Sequence, residues 1–405
     1  MRQQSAQPPV YQVRERLHEE LGKVTDKTGY EKVAGIWAFE WGLDPKVHIG
    51  DYGPLQVPLH EDDARYLIHS GHQALFGKED ETVIDGSVRK PWELNADQFE
   101  LRNTQWPYLI QDLCRYIACQ IGVNEQNPGF HAELYKMLLY EPGAMVKSHQ
   151  DTEKVPGMFG TLVVCLPSPH IGGGVVTHHN GLHEVLQTSS APNPFIWWYS
   201  DIYHEVLPVQ RGMRWVLTYN LVRDNSTVTL PIPTPIVHPL KQVLQAWEHQ
   251  VAMGTSENTS LVYLLGHEYT EASLKLPLLK GLDLRKAAAL KEACDQCGFL
   301  FYLAFVENEK LGSAEDGYQR RRWYYEEEEE EYEDDDVGME EIFEDEYSLT
   351  AVYDEHGQKI AMDIKILHDD LTEYDPFDGQ VPYRKEYGNL GRNISHWHRS
   401  AVSYV

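Results

Sequence analysis

The sequence has few cysteines and no long apolar run, and both shortages exclude classes of protein. Five cysteines occur among 405 residues, an odd number whose spacing gives no disulfide framework. No stretch approaches the roughly 20 consecutive apolar residues of a membrane-spanning helix. The first ten residues also lack the basic and then apolar layout of a secretory signal. These absences predict a cytoplasmic or nuclear protein with no membrane partner.

Only one Cys-X-X-Cys pair occurs, formed by Cys294 and Cys297. A structural zinc site needs four ligands, and no second cysteine or histidine pair follows to supply the other two. The pair also lies at the end of a helix predicted over Leu284–Ala293. We interpret both cysteines as structural, and a redox or metal-binding role remains the alternative.

Positive charge is missing from residues 326–346, which contain fifteen Asp or Glu and no Lys or Arg. This stretch accounts for more than half of the net charge of −28. An acidic surface repels phosphate backbones, so we expect no nucleic-acid partner. The stretch itself predicts a disordered, solvated insertion, and recruitment of a basic protein partner is the alternative.

The rest of the chain is rich enough in apolar residues to fold, with 42% hydrophobic and 11% aromatic residues. We divide it into a polar N-terminal segment at 1–30, a first domain at 31–223, a linker at 224–239 and a smaller C-terminal α+β region at 240–405. The linker is assigned because four prolines fall between 231 and 239. The acidic insertion interrupts the C-terminal region.

Apolar periodicity makes the first domain mainly β with α elements. Pro107–Gly122 is predicted to be a helix, because its apolar residues recur at helical spacing and a glycine ends it. From residue 131 to 222, short apolar runs alternate with turn signals such as Gly172–Gly174. Many short strands separated by turns are typical of a β-barrel or sandwich.

The motif with the clearest chemistry is His149-Gln150-Asp151, followed by His204. On a strand, side chains two residues apart point to the same face, with Cα atoms roughly 6.6 Å apart. An imidazole and a carboxylate so placed can converge on one ion, and a histidine from a distant strand completes the set. Two histidines and one carboxylate with open positions are the ligand set of non-haem Fe(II) oxygenases.

Arg214 follows ten residues after His204, across a turn that contains Pro208 and Gly212. If His204 ends one strand, Arg214 enters the next and faces the same interior. A buried arginine needs a carboxylate partner, because an unpaired charge there is costly. The distal carboxylate of 2-oxoglutarate would provide a planar two-bond partner, and a protein acid is the alternative.

These residues lie within segments that resemble a known family: LYKMLLYEPGAMVKSHQDT, MFGTLVVCLP, the glycines 172–174 and WWYSDIYHEVLPVQRGMRWVLTYNL. Together they resemble the prolyl 4-hydroxylase-like branch of the 2-oxoglutarate/Fe(II) oxygenases over residues 131–222, more loosely from about residue 79. The resemblance implies a double-stranded β-helix (jelly roll) core with flanking helices. Cys165 departs from it, because many relatives carry a larger residue there.

The resemblance also implies a reaction and its site residues. His149, Asp151 and His204 would hold Fe(II), while Arg214, Tyr140 and Thr161 would bind or line the pocket of 2-oxoglutarate. O2 would be the second co-substrate, ascorbate a candidate reductant, and succinate and CO2 the co-products. Hydroxylation of a protein side chain is our first hypothesis. Oxidation of a small molecule and a non-catalytic metal-binding scaffold that works through its acidic segment are the alternatives.

Four further histidines cluster after the strand that ends near Pro167: His170, His178, His179 and His183. We expect them in a loop that connects strands near the mouth of the pocket, and a second metal site is the alternative. Trp198 is interpreted mainly as a packing residue. His396 and His398 are interpreted as structural.

Overall fold

The computed structural model describes two compact units within one chain. The first unit comprises residues 26–229, and the second comprises residues 1–25 together with 230–405. None of the helices described is long and apolar enough to cross a membrane. The described residues are 13–25, 32–38, 44–73, 76–78, 81–83, 91–123, 125–179, 181–190, 193–224, 234–255, 260–314, 339–378, 380, 382–387 and 393–405.

Five α-helices occur among these residues, two of them in the first unit. They are α1 (Val13–Gly22), α2 (Glu61–Ser70), α3 (Trp106–Gln120), α4 (Thr234–Ala252) and α5 (Gly281–Cys297). The helix predicted at 107–122 is α3, and Pro107 occupies its first turn, where a missing N–H breaks no helical hydrogen bond. Ile110, Leu113 and Ile117 form its buried face, at the spacing seen in the sequence.

Eighteen strands are described in the first unit, and most of them belong to two principal sheets. They are β1 (Ala34–Ala38), β2 (Val47–Ile49), β3 (Gly53–Pro54), β4 (His72–Gln73), β5 (Phe76–Lys78), β6 (Glu81–Val83), β7 (Trp92–Asn95), β8 (Glu100–Leu101), β9 (Phe130–Tyr140), β10 (Val146–His149), β11 (Met158–Cys165), β12 (His170–Gly172), β13 (Val175–His179), β14 (Leu182–Leu186), β15 (Pro194–Tyr199), β16 (Tyr203–Val206), β17 (Val209–Gly212) and β18 (Arg214–Arg223).

The larger sheet has the strand order β1-β15-β11-β18-β9-β7-β4, and the smaller has the order β10-β16-β13-β14. Strands β11, β15 and β18 are buried along their whole length, which explains why they read as continuous apolar runs in the sequence. The core of this unit includes Trp197, Trp215 and Leu162, all almost fully buried. The expectation of a mainly β fold with flanking helices is confirmed.

The second unit packs helices α1, α4 and α5 with one large antiparallel sheet. Its strands are β19 (Val262–Leu264), β20 (Tyr302–Ala314), β21 (Met339–Tyr353), β22 (Lys359–Ala361), β23 (Ile364–Ile366), β24 (Arg384–Tyr387) and β25 (Asn393–Tyr404). The sheet follows the order β19-β25-β20-β21-β22, with β23 on β21 and β24 on β25. Helix α5 covers the helix predicted over Leu284–Ala293.

Two segments expected to be irregular are partly helical. Within residues 1–30, α1 buries Val13, Leu17 and Leu21 in the core of the second unit. Within the expected linker 224–239, residues from Thr234 onward already belong to α4, which contains Pro239. Burial of Val237, Leu240, Leu244 and Trp247 outweighs the cost of that proline.

Part of the segment predicted to be a disordered acidic insertion forms a strand. Residues 326–338 lie outside the described residues, but residues 339–346 form the first half of β21 and pair with β20. The prediction of disorder across all of 326–346 is therefore wrong for these eight positions. Two acidic side chains of this segment have partners from other parts of the chain. Asn308 donates to Asp345, and Lys365 forms an ion pair with Glu346 at 2.8 Å. The basic partner stays a prediction.

The contribution of α1 can be tested by truncating its buried face. Leu17→Ala should destabilise the second unit by about 2–5 kcal/mol, because it leaves a cavity in a closed core. Glu15→Ala, at an exposed position of the same helix, is the matched control and should change little. Chemical denaturation of both variants measures the difference. Equal stability of the two variants would contradict the packing of α1.

Candidate active site

His149 and His204 lie directly opposite each other on β10 and β16 of the smaller sheet. Their ring centroids are 4.3 Å apart. Asp151 reaches both rings, with His149 Nε2 at 4.0 Å from its Oδ1 and His204 Nε2 at 3.9 Å from its Oδ2. One ligand atom from each residue lies within 4.8 Å of the others, and no other such group of three occurs in the described part of the chain.

The local backbone differs from the sequence argument in one respect. Strand β10 ends at His149, so Asp151 is not two residues along the same strand. Its position is set instead by its backbone N–H, which donates to the carbonyl of Ser200 at 2.9 Å. The turn after β15 therefore brings the carboxylate beside the two histidines.

Both imidazoles are oriented by their other ring nitrogen. Nδ1 of His149 lies 2.9 Å from the carbonyl of Lys147, and Nδ1 of His204 lies 2.9 Å from the carbonyl of Ile202. A carbonyl only accepts, so each Nδ1 carries the proton and each Nε2 keeps its lone pair. Burial lowers the pKa of His204 and keeps this ring neutral. The two Nε2 atoms and one carboxylate oxygen can therefore bind a divalent cation.

Asp151 is held by two further side chains of the larger sheet. Its Oδ2 accepts from the Thr161 hydroxyl at 2.6 Å and from Trp198 Nε1 at 2.9 Å. Thr161 lines the cavity and its hydroxyl donates to Asp151, so its role in the co-substrate pocket stays a prediction. The sequence reading treated Trp198 as packing, because no pattern in the sequence shows the direction of an indole N–H.

The triad opens into a cavity of about 380 Å³. The cavity is lined by both sheets, and it contains all six residues that the sequence analysis selected: Tyr140, His149, Asp151, Thr161, His204 and Arg214. Leu138, Val163, Val175 and Val216 give its wall an apolar character. A small acid can therefore be enclosed between the triad and Arg214.

Arg214 is the first residue of β18 and is only 1% exposed. Its guanidinium carbon lies 4.9 Å from the ring centroid of Tyr140, the residue opposite it on β9. Its Nε donates to the hydroxyl of Thr188 at 3.3 Å. No carboxylate of the described residues lies within ion-pair distance of it. A buried cation therefore faces the cavity without a protein counter-charge.

Small residues make room for this arginine. A Cβ on Gly173 would lie 2.8 Å from Cδ of Arg214, so the middle glycine of 172–174 is required by the close approach of the side chain. Cys165 is buried beside the arginine, and burial raises the pKa of its thiol. Thr188 and Gly173 were not selected from the sequence, because only the folded loops bring them to Arg214.

The other candidates lie elsewhere. His170, His178, His179 and His183 are on β12, β13 and β14 rather than in a loop, and none of them lines the cavity. His178 and His183 contact each other through their Nδ1 atoms, but no third ligand converges with them among the described residues. Cys294 is buried in α5 and, like Cys297, is a free thiol. His398 packs on Phe377 in the second unit.

Comparison with known proteins bears on the same segment. The family model described as the 2OG-Fe(II) oxygenase superfamily matches residues 135–222, which include all six selected residues. No curated protein sequence matches the chain. Similar solved structures are a Pseudomonas putida prolyl-4-hydroxylase (19% identity, 51% of this chain and 100% of that chain, TM-score 0.33) and a Trichoplax adhaerens prolyl hydroxylase in complex with a hypoxia inducible factor peptide fragment (13% identity, 53% and 94%, TM-score 0.32).

The matched segment spans β9 to β18 and therefore carries the triad, the cavity and Arg214 together. The family uses Fe(II), 2-oxoglutarate and O2, and the donor set of the site suits that metal. Residues 135–222 thus match the 2OG-Fe(II) oxygenase superfamily over the segment that carries the three candidate metal ligands and Arg214.

Proposed function

We propose that the enzyme hydroxylates a C–H bond of a protein side chain, with succinate and CO2 as co-products. The observation that carries this proposal is the buried Arg214, which faces the same cavity as the triad and has no carboxylate partner in the described residues. In our proposal, the distal carboxylate of 2-oxoglutarate is that partner. We further propose that the two principal sheets of the first unit form the double-stranded β-helix of prolyl hydroxylases.

The metal ligands in this proposal are His149, Asp151 and His204. The two Nε2 atoms and one oxygen of Asp151 lie within 4.8 Å of one another and would hold the ion, and a set of three protein ligands would leave room for a co-substrate. When bound there, Fe(II) supplies the redox chemistry that activates O2 together with 2-oxoglutarate. The protein's own part is to fix the ligands, to hold the co-substrate and to exclude water from the cavity.

Arg214 and Tyr140 form the proposed co-substrate end of the cavity. The guanidinium can donate two parallel hydrogen bonds to a carboxylate, because Thr188 engages only its Nε. Burial raises the pKa of Tyr140, so its hydroxyl keeps the proton that it would donate to the same carboxylate. Apolar Leu138 and Val216 separate this end from the triad and suit the methylenes of a dicarboxylic acid.

Loss of the metal ligands tests the first part of the proposal. His149→Ala or Asp151→Ala should abolish Fe(II) binding and 2-oxoglutarate turnover, because each variant removes one of three protein ligands. Both positions are partly exposed, so the fold should persist, which circular dichroism checks. Anaerobic metal titration and succinate release measure the effect. A variant that keeps most of its succinate formation would show that the triad is assigned wrongly.

Loss of the buried cation tests the co-substrate site. Arg214→Ala should weaken 2-oxoglutarate binding by about 3–5 kcal/mol, because a buried carboxylate would lose its partner. Arg211→Ala is the matched control, since Arg211 is exposed on β17 and does not line the cavity. Titration of the metal-loaded protein with 2-oxoglutarate compares the two variants. If Arg211→Ala loses more affinity for 2-oxoglutarate than Arg214→Ala, then Arg211 rather than Arg214 binds the co-substrate.

The hydrogen bonds to Asp151 generate a third prediction. Thr161→Val removes one of the two donors to Oδ2 and should weaken metal binding roughly tenfold to a hundredfold, the usual effect of a group that orients a ligand. Thr218→Val is the control, because its hydroxyl donates to the carbonyl of Lys136 and not to Asp151. Anaerobic titration with Fe(II) measures both variants. Equal affinities would show that the Thr161 hydrogen bond does not position the ligand.

A further inference from the structure

One rung of the larger sheet places three polar side chains next to one another. Trp198, Thr161 and Asn220 are directly opposed residues on β15, β11 and β18, and all three line the cavity. The first two donate to Oδ2 of Asp151. Asn220 is the third in the row, one strand further from that carboxylate, and therefore lies beside the triad rather than at the Arg214 end.

The Asn220 carboxamide is buried but uses none of its hydrogen-bonding capacity within the protein. The residue is 4% exposed, and its amide forms no hydrogen bond with any described residue. A buried amide without partners costs free energy, so such groups are normally paired. Its partner must come from the contents of the cavity, which are solvent in the free enzyme and a bound molecule in a complex.

A β-bulge shapes the wall next to Asn220. Thr218 pairs with Lys136 and Tyr219 pairs with Leu134, so Tyr135 is an extra residue on β9. The bulge breaks the alternation of side chains, and both Tyr135 and Lys136 therefore line the cavity.

The charge of Lys136 in this wall is already compensated. Its Nζ forms an ion pair with Glu93 at 2.7 Å, and Glu93 itself is buried. This wall thus carries an aromatic ring, a neutral amide and a paired charge. Among the described residues, the only cation of this wall is therefore the paired Lys136. The other cations that line the cavity are Arg214 and Lys154, whose Nζ donates to the Thr152 hydroxyl.

We propose that Asn220 is a specificity-determining residue that binds a peptide group of the substrate, with its carboxamide oxygen accepting from the peptide N–H and its NH2 donating to the peptide C=O. This inference rests on the proposed function, because it places the substrate between Asn220 and the triad. It goes further by naming the group that is recognised. A carboxamide presents a donor and an acceptor side by side, and a peptide group presents the complementary pair.

The neutral wall favours a polypeptide over a charged small molecule. A charged group placed against Asn220 and Tyr135 would leave water without a counter-charge from this wall, which is costly. An uncharged peptide backbone needs only hydrogen bonds, and Tyr135 offers an aromatic face to an adjacent side chain. The substrate class is therefore an extended peptide segment whose reacting side chain points toward the triad.

The test uses the full-length enzyme loaded with Fe(II) and 2-oxoglutarate. The probes are a panel of N-acetylated, C-amidated peptides in which one varied residue is flanked by glycines. Succinate release is measured with and without each peptide for wild type, Asn220→Leu and Asn220→Ala. The control variant is Tyr219→Phe, which removes a hydrogen bond to Trp106 on the opposite face of the same strand.

For the most active peptide, Asn220→Leu should raise KM for the peptide roughly tenfold to a hundredfold, the loss of two neutral hydrogen bonds. KM for 2-oxoglutarate should move less than about twofold, because Arg214 binds that molecule at the other end of the cavity. A peptide methylated on the recognised backbone nitrogen loses one of the two hydrogen bonds, so its KM with wild type should rise by a smaller factor, and methylation should have no further effect in Asn220→Leu.

Three results would overturn the inference. The first is a peptide KM in Asn220→Leu equal to that of Tyr219→Phe. The second is a rise in KM for 2-oxoglutarate as large as that for the peptide, which would make Asn220 a co-substrate residue. The third is that no peptide raises succinate release above the peptide-free rate of the wild type. In all three the enzyme still consumes 2-oxoglutarate, whereas a wild type that releases no succinate at all would overturn the proposed function itself.

Discussion

A buried positive charge is the constraint on which the first unit depends. Arg214 lies at the start of a fully buried strand, and an arginine cannot lose its charge by deprotonation as a lysine can. Its surroundings accommodate the side chain rather than neutralise it: Gly173 leaves space, Thr188 engages one nitrogen and Tyr140 lies against the guanidinium. This environment is the basis for our proposal that the Arg214 end of the cavity binds the carboxylate of the co-substrate.

At the proposed metal end of the cavity, in contrast, hydrogen bonds within the protein hold each candidate ligand in place. The Nδ1–H of each histidine donates a hydrogen bond to the backbone carbonyl two residues earlier. One oxygen of Asp151 accepts two hydrogen bonds, from Thr161 and Trp198. Such preorganisation restricts the rotation of each ligand and selects the tautomer that can bind metal. One end of the cavity thus carries the positive charge of Arg214, which has no acidic partner among the described residues. The other end carries the oriented Nε2 lone pairs of His149 and His204.

The parts that the sequence predicted correctly are those with strong local signals. Strands β9, β11, β15 and β18 are long apolar runs, and α3 has an unbroken helical period, so their residues alone determine their type. Helix α1 was missed although Val13, Leu17 and Leu21 recur every four residues, because the stretch is otherwise polar. That spacing was a usable signal. The start of α4 was missed because prolines were read as breakers, whereas tertiary burial decided the outcome.

Contacts between distant segments could not be predicted from the sequence, because they depend on the orientation of individual side chains in the folded protein. The triad could be proposed from residue types and order, but the hold of Trp198 on Asp151 depends on the angle of one indole ring. The strand pairing of 339–346 likewise depends on Asn308 and Lys365, which no local pattern connects to the acidic run. Charge composition predicts the solvation of a segment only when its partners are within the segment.

The sheet register finally explains how the metal site and the cavity wall are coupled. Because Thr161 lies between Trp198 and Asn220 on one rung, a shift of β11 by one residue would turn all the side chains of that strand to the other face. The same shift would remove a donor from Asp151 and separate Asn220 from the triad. Asn220 and Arg214 lie on the same strand, so β18 also fixes the distance from the wall beside the metal to the co-substrate end. In our proposal, the positions of metal, co-substrate and substrate would thus depend on backbone pairing, and the side chains would determine what each position binds.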